Sequence, residues 1–564
     1  MRQRSNMADR QPVPSPVTTS VRRGGVAGLG MWLVLISSAA AGQESKKLYL
    51  IVTRPSLVQA ARELADYRAA RGYQVVVGPL EQVMEDPASP PRPEQVTRWV
   101  EQMIRSSVGQ AGSPPEPAVL LLVGDETESV DETPPWRLPS FRRPLYRWRA
   151  KQRETFTSDS IYGDRDGDGL PDIPVGRLPV RSGAEVRAYL NKLIAYESRE
   201  GRPEDLRAVV WLGIPGYDPG SDAMMTPVGM EAVNRYLPPV LTPWWLSGDP
   251  RWPCWLPPEE QPRRFLAELA AGSAFSFFGG HGSETHAIAN VAKPTRTVMT
   301  IEDLAHLPSR RPAAPLAFLA CTIGRFEWEK GPCLAEAMWS HPGGPVVVAA
   351  ASTESHPLTN YYNAIGLARI LGNGFRTFGE WWVAAQRVGF REHSPLIEPI
   401  LKNAEGKLEP QINVDRLRRD HPLMYNILGD PACRLRLPNA LTVSVSREGA
   451  RLVVRTELPM GVERVRVDLL RPRQQATSAP SAPPASAEGD ADAYRRRLEE
   501  FNHRVVPLTT ASASAGPLVL TCTLPAKMEP GDSQAIIRLA GFGANGGVWA
   551  GVAGVPPEQG GDGR

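Results

Sequence analysis

The sequence is poor in cysteine, in excess charge and in long apolar runs. Its 564 residues include five cysteines, an odd number and too few for the disulfide scaffold of a small exported protein. The formal net charge is only +3, so nothing in the composition indicates nucleic acid or an anionic membrane as a partner. No apolar run after residue 41 is long enough for a membrane span, so we predict none in the mature chain.

The N-terminus carries the pattern of an export signal. Arg22 and Arg23 precede an apolar run at residues 26–36, and small residues follow at 37–41. A basic segment, a short apolar core and an A-x-A site are typical of a secretory signal peptide, which we predict at residues 1–41 with cleavage after Ala41. The expected location is therefore outside the cytoplasm: secreted, periplasmic or at the cell surface.

The order of hydrophobic patterns predicts an α/β region followed by an all-β module. Continuous apolar runs, such as residues 48–53 and 118–123, alternate with segments of helical period, which indicates a parallel sheet covered by helices on both sides. We place a first α/β subdomain at residues 46–205 and a catalytic one at 206–437. From residue 440 the apolar period is two, which predicts a β domain at 438–554 with a disordered insertion at 474–492.

Two apolar strand patterns end beside side chains that could carry out catalysis. One begins at residue 275 and runs through glycines to His281, and the other begins at residue 316 and ends at Cys321. Parallel neighbours end at the same edge of a sheet, where the imidazole would activate the thiol. The N–H groups of Gly282 and Cys321 are candidate donors to an oxyanion. The alternative is a buried structural cysteine and an unrelated loop histidine.

Eight short motifs strengthen the catalytic interpretation. They are LVGD (122–125), SDSIYG (158–163), VGR (175–177), GHGSET (280–285), ACTIGRF (320–326), CLAEA (333–337), VVVAAAST (346–353) and GDP (429–431). Together, and in this order, they resemble the gingipain family of cysteine peptidases, peptidase family C25, over residues 48–437. The resemblance implies a caspase-like α/β fold in two subdomains, followed by an immunoglobulin-like β-sandwich. It also implies that His281 and Cys321 form the catalytic dyad.

The sequence departs from the Arg-specific gingipains, which carry an acidic third catalytic residue and an Asp at the base of the specificity pocket. The segments that resemble those positions, residues 213–216 (GIPG) and 224–228 (MMTPV), contain no carboxylate. Asp218 and Asp222 lie nearby but match neither position. Arg specificity is therefore not carried over, and the specificity for the substrate residue stays open. A backbone carbonyl could orient the imidazole instead.

An acidic loop at residues 164–172 (DRDGDGLPD) resembles part of an EF-hand. Asp164, Asp166, Asp168 and Asp172 take positions 1, 3, 5 and 9 of such a loop, and a glycine takes position 6. We predict that these carboxylates and the Leu170 carbonyl bind one structural calcium ion. Position 12 holds a valine instead of the expected glutamate, so a solvated acidic turn is the alternative. No cofactor is expected for catalysis.

Two functions therefore follow from the sequence. The first is a secreted cysteine endopeptidase that cleaves proteins or peptides through a Cys-His dyad and a thioester acyl-enzyme. The second is a catalytically inactive relative that acts as a cell-surface binding or adhesion protein. The intact His281, Cys321 and flanking glycines favour the first function, whereas the missing acidic residues leave the second open.

Overall fold

A computed structural model describes most of the chain. The described residues are 46–84, 90–108, 118–126, 136–146, 154–216, 219–290, 295–395, 397–399, 413–473, 491–526 and 534–557. The predicted signal peptide and residues 474–490 of the predicted insertion lie outside these ranges. Within the ranges, none of the helices combines the length and the apolar composition that crossing a membrane requires.

Strands and helices alternate through the first three quarters of the described chain. The strands are β1 (Leu48–Thr53), β2 (Gln74–Pro79), β3 (Val119–Val123), β4 (Phe141–Pro144), β5 (Thr155–Ser158), β6 (Val175–Leu178), β7 (Arg207–Leu212), β8 (Thr242–Ser247), β9 (Phe275–Gly279), β10 (His281–Gly282), β11 (His286–Asn290), β12 (Arg296–Thr300), β13 (Leu316–Leu319), β14 (Val348–Ala351), β15 (Tyr425–Leu428), β16 (Asn439–Ala440), β17 (Val443–Glu448), β18 (Arg451–Leu458), β19 (Arg464–Leu470), β20 (Val505–Ser512), β21 (Gly516–Thr523), β22 (Ile536–Phe542) and β23 (Val548–Gly554). The helices are α1 (Val58–Ala69), α2 (Leu80–Val83), α3 (Pro93–Val108), α4 (Gly183–Ser198), α5 (Pro219–Tyr236), α6 (Gln261–Ala271), α7 (Leu334–Ser340), α8 (Pro357–Arg369), α9 (Phe378–Arg391), α10 (Val414–Met424) and α11 (Ala491–Asn502).

Ten strands form one large sheet in the order β2-β1-β3-β6-β15-β14-β13-β9-β7-β8. Neighbouring strands are parallel except β14 and β15. This confirms the predicted α/β fold with a large, mostly parallel sheet. Strands from both predicted subdomains belong to the same sheet and meet where β6 pairs with β15. The antiparallel β14–β15 pair reverses strand direction, so the two halves of the sheet have their carboxyl ends at opposite edges.

Two buried ion pairs explain several of the sequence motifs. Arg177 in β6 contacts Asp159 at 2.6 Å, and Arg68 in α1 contacts Asp430 at 2.7 Å. All four side chains are buried, so the loss of one partner would leave a costly unpaired charge. Gly176 is also constrained, because a Cβ there would lie 2.4 Å from the glycine carbonyl of the GDP motif. The VGR and GDP motifs therefore hold the sheet together.

The C-terminal strands form two further sheets with a shared core. One has the order β16-β23-β22-β19-β20 and the other the order β17-β18-β21. Val454 of the smaller sheet and Val467 and Leu539 of the larger one belong to a single buried cluster. The apolar period of two thus gives sheets with one buried face, as expected. The immunoglobulin-like topology and the domain limits stay predictions.

The predicted disordered insertion is wrong at its C-terminal end. Residues 491–492 begin helix α11, whose Tyr494 and Leu498 are buried in the main core. Asn502, the last residue of this helix, bonds both the N–H and the carbonyl of Trp245 in the edge strand β8. The helix therefore covers part of a sheet edge that would otherwise expose unpaired backbone groups.

Candidate active site

One edge of the large sheet holds both predicted catalytic residues. Strands β9 and β13 are parallel neighbours, and their last residues, Gly279 and Leu319, lie opposite each other. His281 and Cys321 each follow two residues later, so both leave the sheet at the same edge. Both also line a cavity of about 740 Å³. The sheet register therefore brings the imidazole and the thiol to one site.

Gly282 allows the two strand ends to come into close contact. A Cβ at this position would lie 2.6 Å from the Cys321 carbonyl oxygen and 2.4 Å from the Ile323 side chain. The oxygen belongs to the backbone and cannot move away easily, so a side chain would push the two segments apart. The glycine beside His281 thus has a steric role in bringing the two segments together.

The N–H of Gly282, a predicted oxyanion donor, points away from its own hairpin. The N–H of Ser283 donates to the His286 carbonyl at 3.0 Å, so these residues form a hydrogen-bonded pair of the antiparallel ladder. Bonded and non-bonded pairs alternate in such a ladder, and Gly282 opposite Ala287 is therefore a non-bonded pair. The second predicted donor, the N–H of Cys321, lies where the chain leaves β13.

Two backbone carbonyls hold the imidazole of His281. Its Nε2 lies 3.1 Å from the Ile214 oxygen and 2.9 Å from the Pro215 oxygen. Carbonyl oxygens only accept hydrogen bonds, so Nε2 carries the proton and Nδ1 is the basic atom of the neutral ring. Burial lowers the pKa of His281, while the two carbonyls and the Asp222 carboxylate act in the opposite direction.

Cys321 differs from the other cysteines in its exposure. None of the five cysteines, all of which lie in the described ranges, forms a disulfide, and Cys321 is half-buried whereas the other four are buried. Burial raises the pKa of each of those four, which keeps them protonated and unreactive. The Cys321 sulfur lies 3.4 Å from the Ser355 carbonyl oxygen and 3.9 Å from the Ser355 hydroxyl, which accepts a hydrogen bond from Asn360 at 2.9 Å.

The residue after Cys321 has a strained backbone. Thr322 has a φ of 52°, and no other non-glycine residue in the described part of the chain has a positive φ. This conformation costs on the order of 1–3 kcal/mol and persists only where the surrounding structure imposes it. The Thr322 N–H donates to the Thr353 carbonyl at 2.9 Å, and its hydroxyl donates to the Gly282 carbonyl at 3.4 Å. The turn after the thiol is therefore fixed from two sides.

Comparison with protein-family models connects this site to a known group of enzymes. Residues 43–436 match the model described as Peptidase family C25. The chain belongs to peptidase family C25. The resemblance drawn from the motifs is thereby confirmed, and membership implies a hydrolase of the cysteine-peptidase type. A search of curated protein sequences found no match.

A solved gingipain structure shares the fold of this C25 family member. The crystal structure of the Arg-specific cysteine proteinase gingipain R is 15% identical in sequence, with a TM-score of 0.50, and the match covers 90% of this chain and 98% of that one. A complex of the pro- and mature domains of RgpB from Porphyromonas gingivalis is also 15% identical, with a TM-score of 0.49, and covers 89% and 99% of the two chains. At this identity the likeness concerns the fold alone.

Asp222, one of the two nearby carboxylates that matched neither acidic position in the sequence, bonds the loop that holds His281. It lies in the first turn of α5, and its Oδ1 accepts a hydrogen bond from the Gly216 N–H at 2.9 Å. Gly216 directly follows the two carbonyls that hold His281, so the carboxylate anchors the loop that orients the imidazole. The other candidate, Asp218, lies outside the described residues.

The acidic loop brings three of its four carboxylates together. Oxygens of Asp164, Asp166 and Asp172 lie within 4.8 Å of one another, close enough to share one metal ion. Asp164 also accepts hydrogen bonds from the N–H groups of Gly167 and Gly169, at 2.9 and 3.0 Å. Burial raises the pKa of this carboxyl group. These three aspartates fit the oxygen-rich coordination that calcium prefers.

Arg387 of α9 contacts the remaining predicted calcium ligands. Its guanidinium bonds the Leu170 carbonyl at 3.3 Å, contacts Asp172, and lies 3.8 Å from the Asp168 carboxylate. Asp168 is not a member of the group of three carboxylates. The arginine therefore supplies part of the positive charge that the sequence assigned to a cation. It shares Asp172 with the group of three carboxylates, while Asp168 lies outside that group.

Proposed function

We propose that the protein is a secreted cysteine endopeptidase in which Cys321 is the nucleophile and His281 transfers the protons. Membership of peptidase family C25 supports this activity. The observation that carries the proposal is the placement of the half-buried thiol and the carbonyl-held imidazole on one cavity at one sheet edge. The other four thiols are buried and lack this access.

Acylation begins when Nδ1 of His281 takes the proton of the Cys321 thiol. The sulfur attacks the carbonyl carbon of the scissile bond, and the carbonyl electron pair moves to oxygen, toward the N–H groups of Gly282 and Cys321. The tetrahedral intermediate then collapses. The C–N bond breaks, and His281 gives its proton to the leaving amine. The products are an acyl thioester on Cys321 and a free amine.

Deacylation consumes one water molecule. Neutral His281 takes a proton from the water while the water oxygen attacks the thioester carbon, and the C–S bond then breaks. The proton returns to the Cys321 sulfur, and the acid half of the substrate leaves. The orientation of Nδ1 by the loop that bonds Nε2 serves both half-reactions.

Peptide hydrolysis by single-residue variants tests this proposal. Cys321→Ala removes the nucleophile, so we expect turnover to fall to the background rate. His281→Ala removes the proton carrier, for which a loss of roughly 10²- to 10⁴-fold is typical. Cys522→Ala is the matched control, because it makes the same chemical change at a buried thiol of β21. Wild-type turnover by a folded Cys321→Ala protein would contradict the proposal.

We also propose that the chain is exported, on the basis of its N-terminal pattern. Arg22 and Arg23, the apolar run at 26–36 and the small residues before Gly42 support cleavage after Ala41. Mass analysis of the protein recovered from the periplasm, medium or cell surface should find an N-terminus at Gly42. A protein that stays in the cytoplasm with its N-terminus intact would contradict export.

We propose, finally, that the acidic loop holds one structural calcium ion through Asp164, Asp166 and Asp172. The convergence of these three carboxylates supports the assignment. Bound calcium would add positive charge to the loop and contribute to stability, with no part in the proton transfers at Cys321.

A further inference from the structure

The cavity beside Cys321 extends far below the sheet edge. Its floor is one face of β7 and β9, where Val210 lies opposite Phe277. The lining reaches from His281, beyond the carboxyl end of β9, to Phe275 at its amino end. The four residue steps of β9, from Phe275 to Gly279, correspond to about 13 Å. A volume of about 740 Å³ lies within the range of sites that enclose most of a bound group.

Helices α5 and α8 form the opposite wall, and four of the residues that line it are small. Gly229 and Ala232 of α5 line the cavity, as do Ala364 and Ala368 of α8. Larger residues at these positions would fill the space between the helices and the sheet. The small residues at these positions on both helices therefore keep the cavity open.

Among the described residues, none that lines the deep part of the cavity carries a carboxylate. Among its described lining residues there is one carboxylate, that of Glu354, and there is no lysine or arginine. Glu354 precedes Ser355, whose carbonyl contacts the Cys321 thiol, so it lies at the mouth. Phe275 and Trp381 line the deep end. An arginine or lysine side chain there would lose its hydration with no described carboxylate to compensate for it.

We propose that this cavity binds the side chain of the substrate residue before the scissile bond, and that it selects aromatic and large aliphatic side chains over Arg and Lys. The proposal rests on the endopeptidase function, because the cavity mouth carries Cys321 and His281. A substrate carbonyl placed at the sulfur would direct the adjoining side chain into the cavity. Apolar side chains gain from leaving water, whereas charged ones would lose more than they gain.

A peptide series that varies only this residue tests the selection. We expect kcat/KM for Phe, Trp and Leu peptides to exceed that for Arg and Lys peptides on the order of 100-fold. Equal rates, or a preference for Arg or Lys, would overturn the proposal. A peptide with a fatty-acylated lysine is the second arm. If it is cleaved much faster than the Phe peptide, the occupant is an acyl chain, and the proposal is wrong.

Substitutions at Ala364 test whether the cavity is responsible. Ala364→Phe fills the space, so we expect a raised KM for the Phe peptide. Ala364→Asp places a carboxylate in the cavity, so the ratio of Arg to Phe cleavage should rise at least tenfold, a change that unfolding would not produce. Ala69→Phe and Ala69→Asp, at an exposed position of α1, are the matched controls. Unchanged selectivity in both folded Ala364 variants would overturn the proposal.

Alkylation of Cys321 by iodoacetamide separates this proposal from the one on which it depends. The reagent is small and does not need the cavity. Alkylation and peptide turnover without apolar selection would refute the cavity proposal alone. No turnover of any peptide in the series would refute both the endopeptidase function and the selectivity that rests on it.

Discussion

Arg473 links the C-terminal β region to helix α5, and its removal should destabilise the wall of the cavity. Its guanidinium donates to four backbone carbonyls near the C-terminal end of the helix: Asn234 and Leu237 at 2.9 Å each, Pro238 at 2.8 Å and Leu241 at 2.9 Å. Burial lowers the pKa of Arg473 to about 10, so it stays charged at neutral pH. A cation at this end also complements the helix dipole.

The magnitude follows from the four hydrogen bonds of one charged donor. Each such bond contributes about 1.5–3 kcal/mol, but the four share one side chain and water can replace some of them in a variant, so we expect Arg473→Ala to cost about 3 kcal/mol. Arg473→Lys keeps the charge but loses the planar fork, and should recover only part of this. Arg451→Ala, at an exposed position of β18, is the control.

Urea unfolding of the full chain measures the effect, because the shift in midpoint multiplied by the m-value gives the change in the free energy of unfolding. We also expect Arg473→Ala to raise KM more than it lowers kcat, since α5 lines the cavity but carries neither His281 nor Cys321. An unfolding midpoint equal to that of Arg451→Ala would refute the reasoning.

Three further predictions concern the site and the acidic loop. Asp222→Asn removes the carboxylate that raises the pKa of His281, so the limb of the kcat/KM pH profile governed by this histidine should move to lower pH; an unchanged profile would exclude the effect. Gly282→Ala should abolish turnover without unfolding the protein, because its Cβ would lie 2.6 Å from a backbone carbonyl of the proposed nucleophile; circular dichroism and peptide hydrolysis test this. Calcium at a hundredfold its dissociation constant should add about 2.7 kcal/mol of stability. Melting curves with calcium and with chelator should show this gain for wild type and for Asp168→Asn but not for Asp166→Asn. A wild-type melting midpoint that is the same with calcium and with chelator would refute the site.

The sequence predicts the strands of the site well because most of their residues are apolar. Strand β13 is a continuous apolar run that is buried throughout, whereas β9 contains Ser276 and is half-buried at Phe277 and Gly279, where it lines the cavity. From the sequence, the pairing of β9 with β13 is a hypothesis, and the structure confirms it by placing Gly279 opposite Leu319. The reversal between β14 and β15 could not be predicted, because an apolar run that is buried on both faces carries no information about strand direction.

Contacts between residues distant in sequence account for what the sequence did not reveal. The role of Asp222 depends on the Gly216 N–H at the end of a loop, which no motif marks. Arg387 reaches the acidic loop from α9, so the charge balance of that loop could not be judged from residues 164–172 alone. Helix α11 was missed because it directly follows an Ala-, Ser- and Pro-rich segment, and few of its residues are apolar.

Alkylation of native protein by iodoacetamide, followed by mass mapping of all five cysteines, tests most directly whether Cys321 and His281 act as a pair. We expect Cys321 to react at about pH 6, where an ordinary thiol with a pKa near 8.5 is almost entirely protonated. This reaction should be lost in His281→Ala, and the four buried cysteines should stay unlabelled in both proteins. Reaction of Cys321 only above pH 8 in both proteins, or earlier labelling of a buried cysteine, would contradict the pairing.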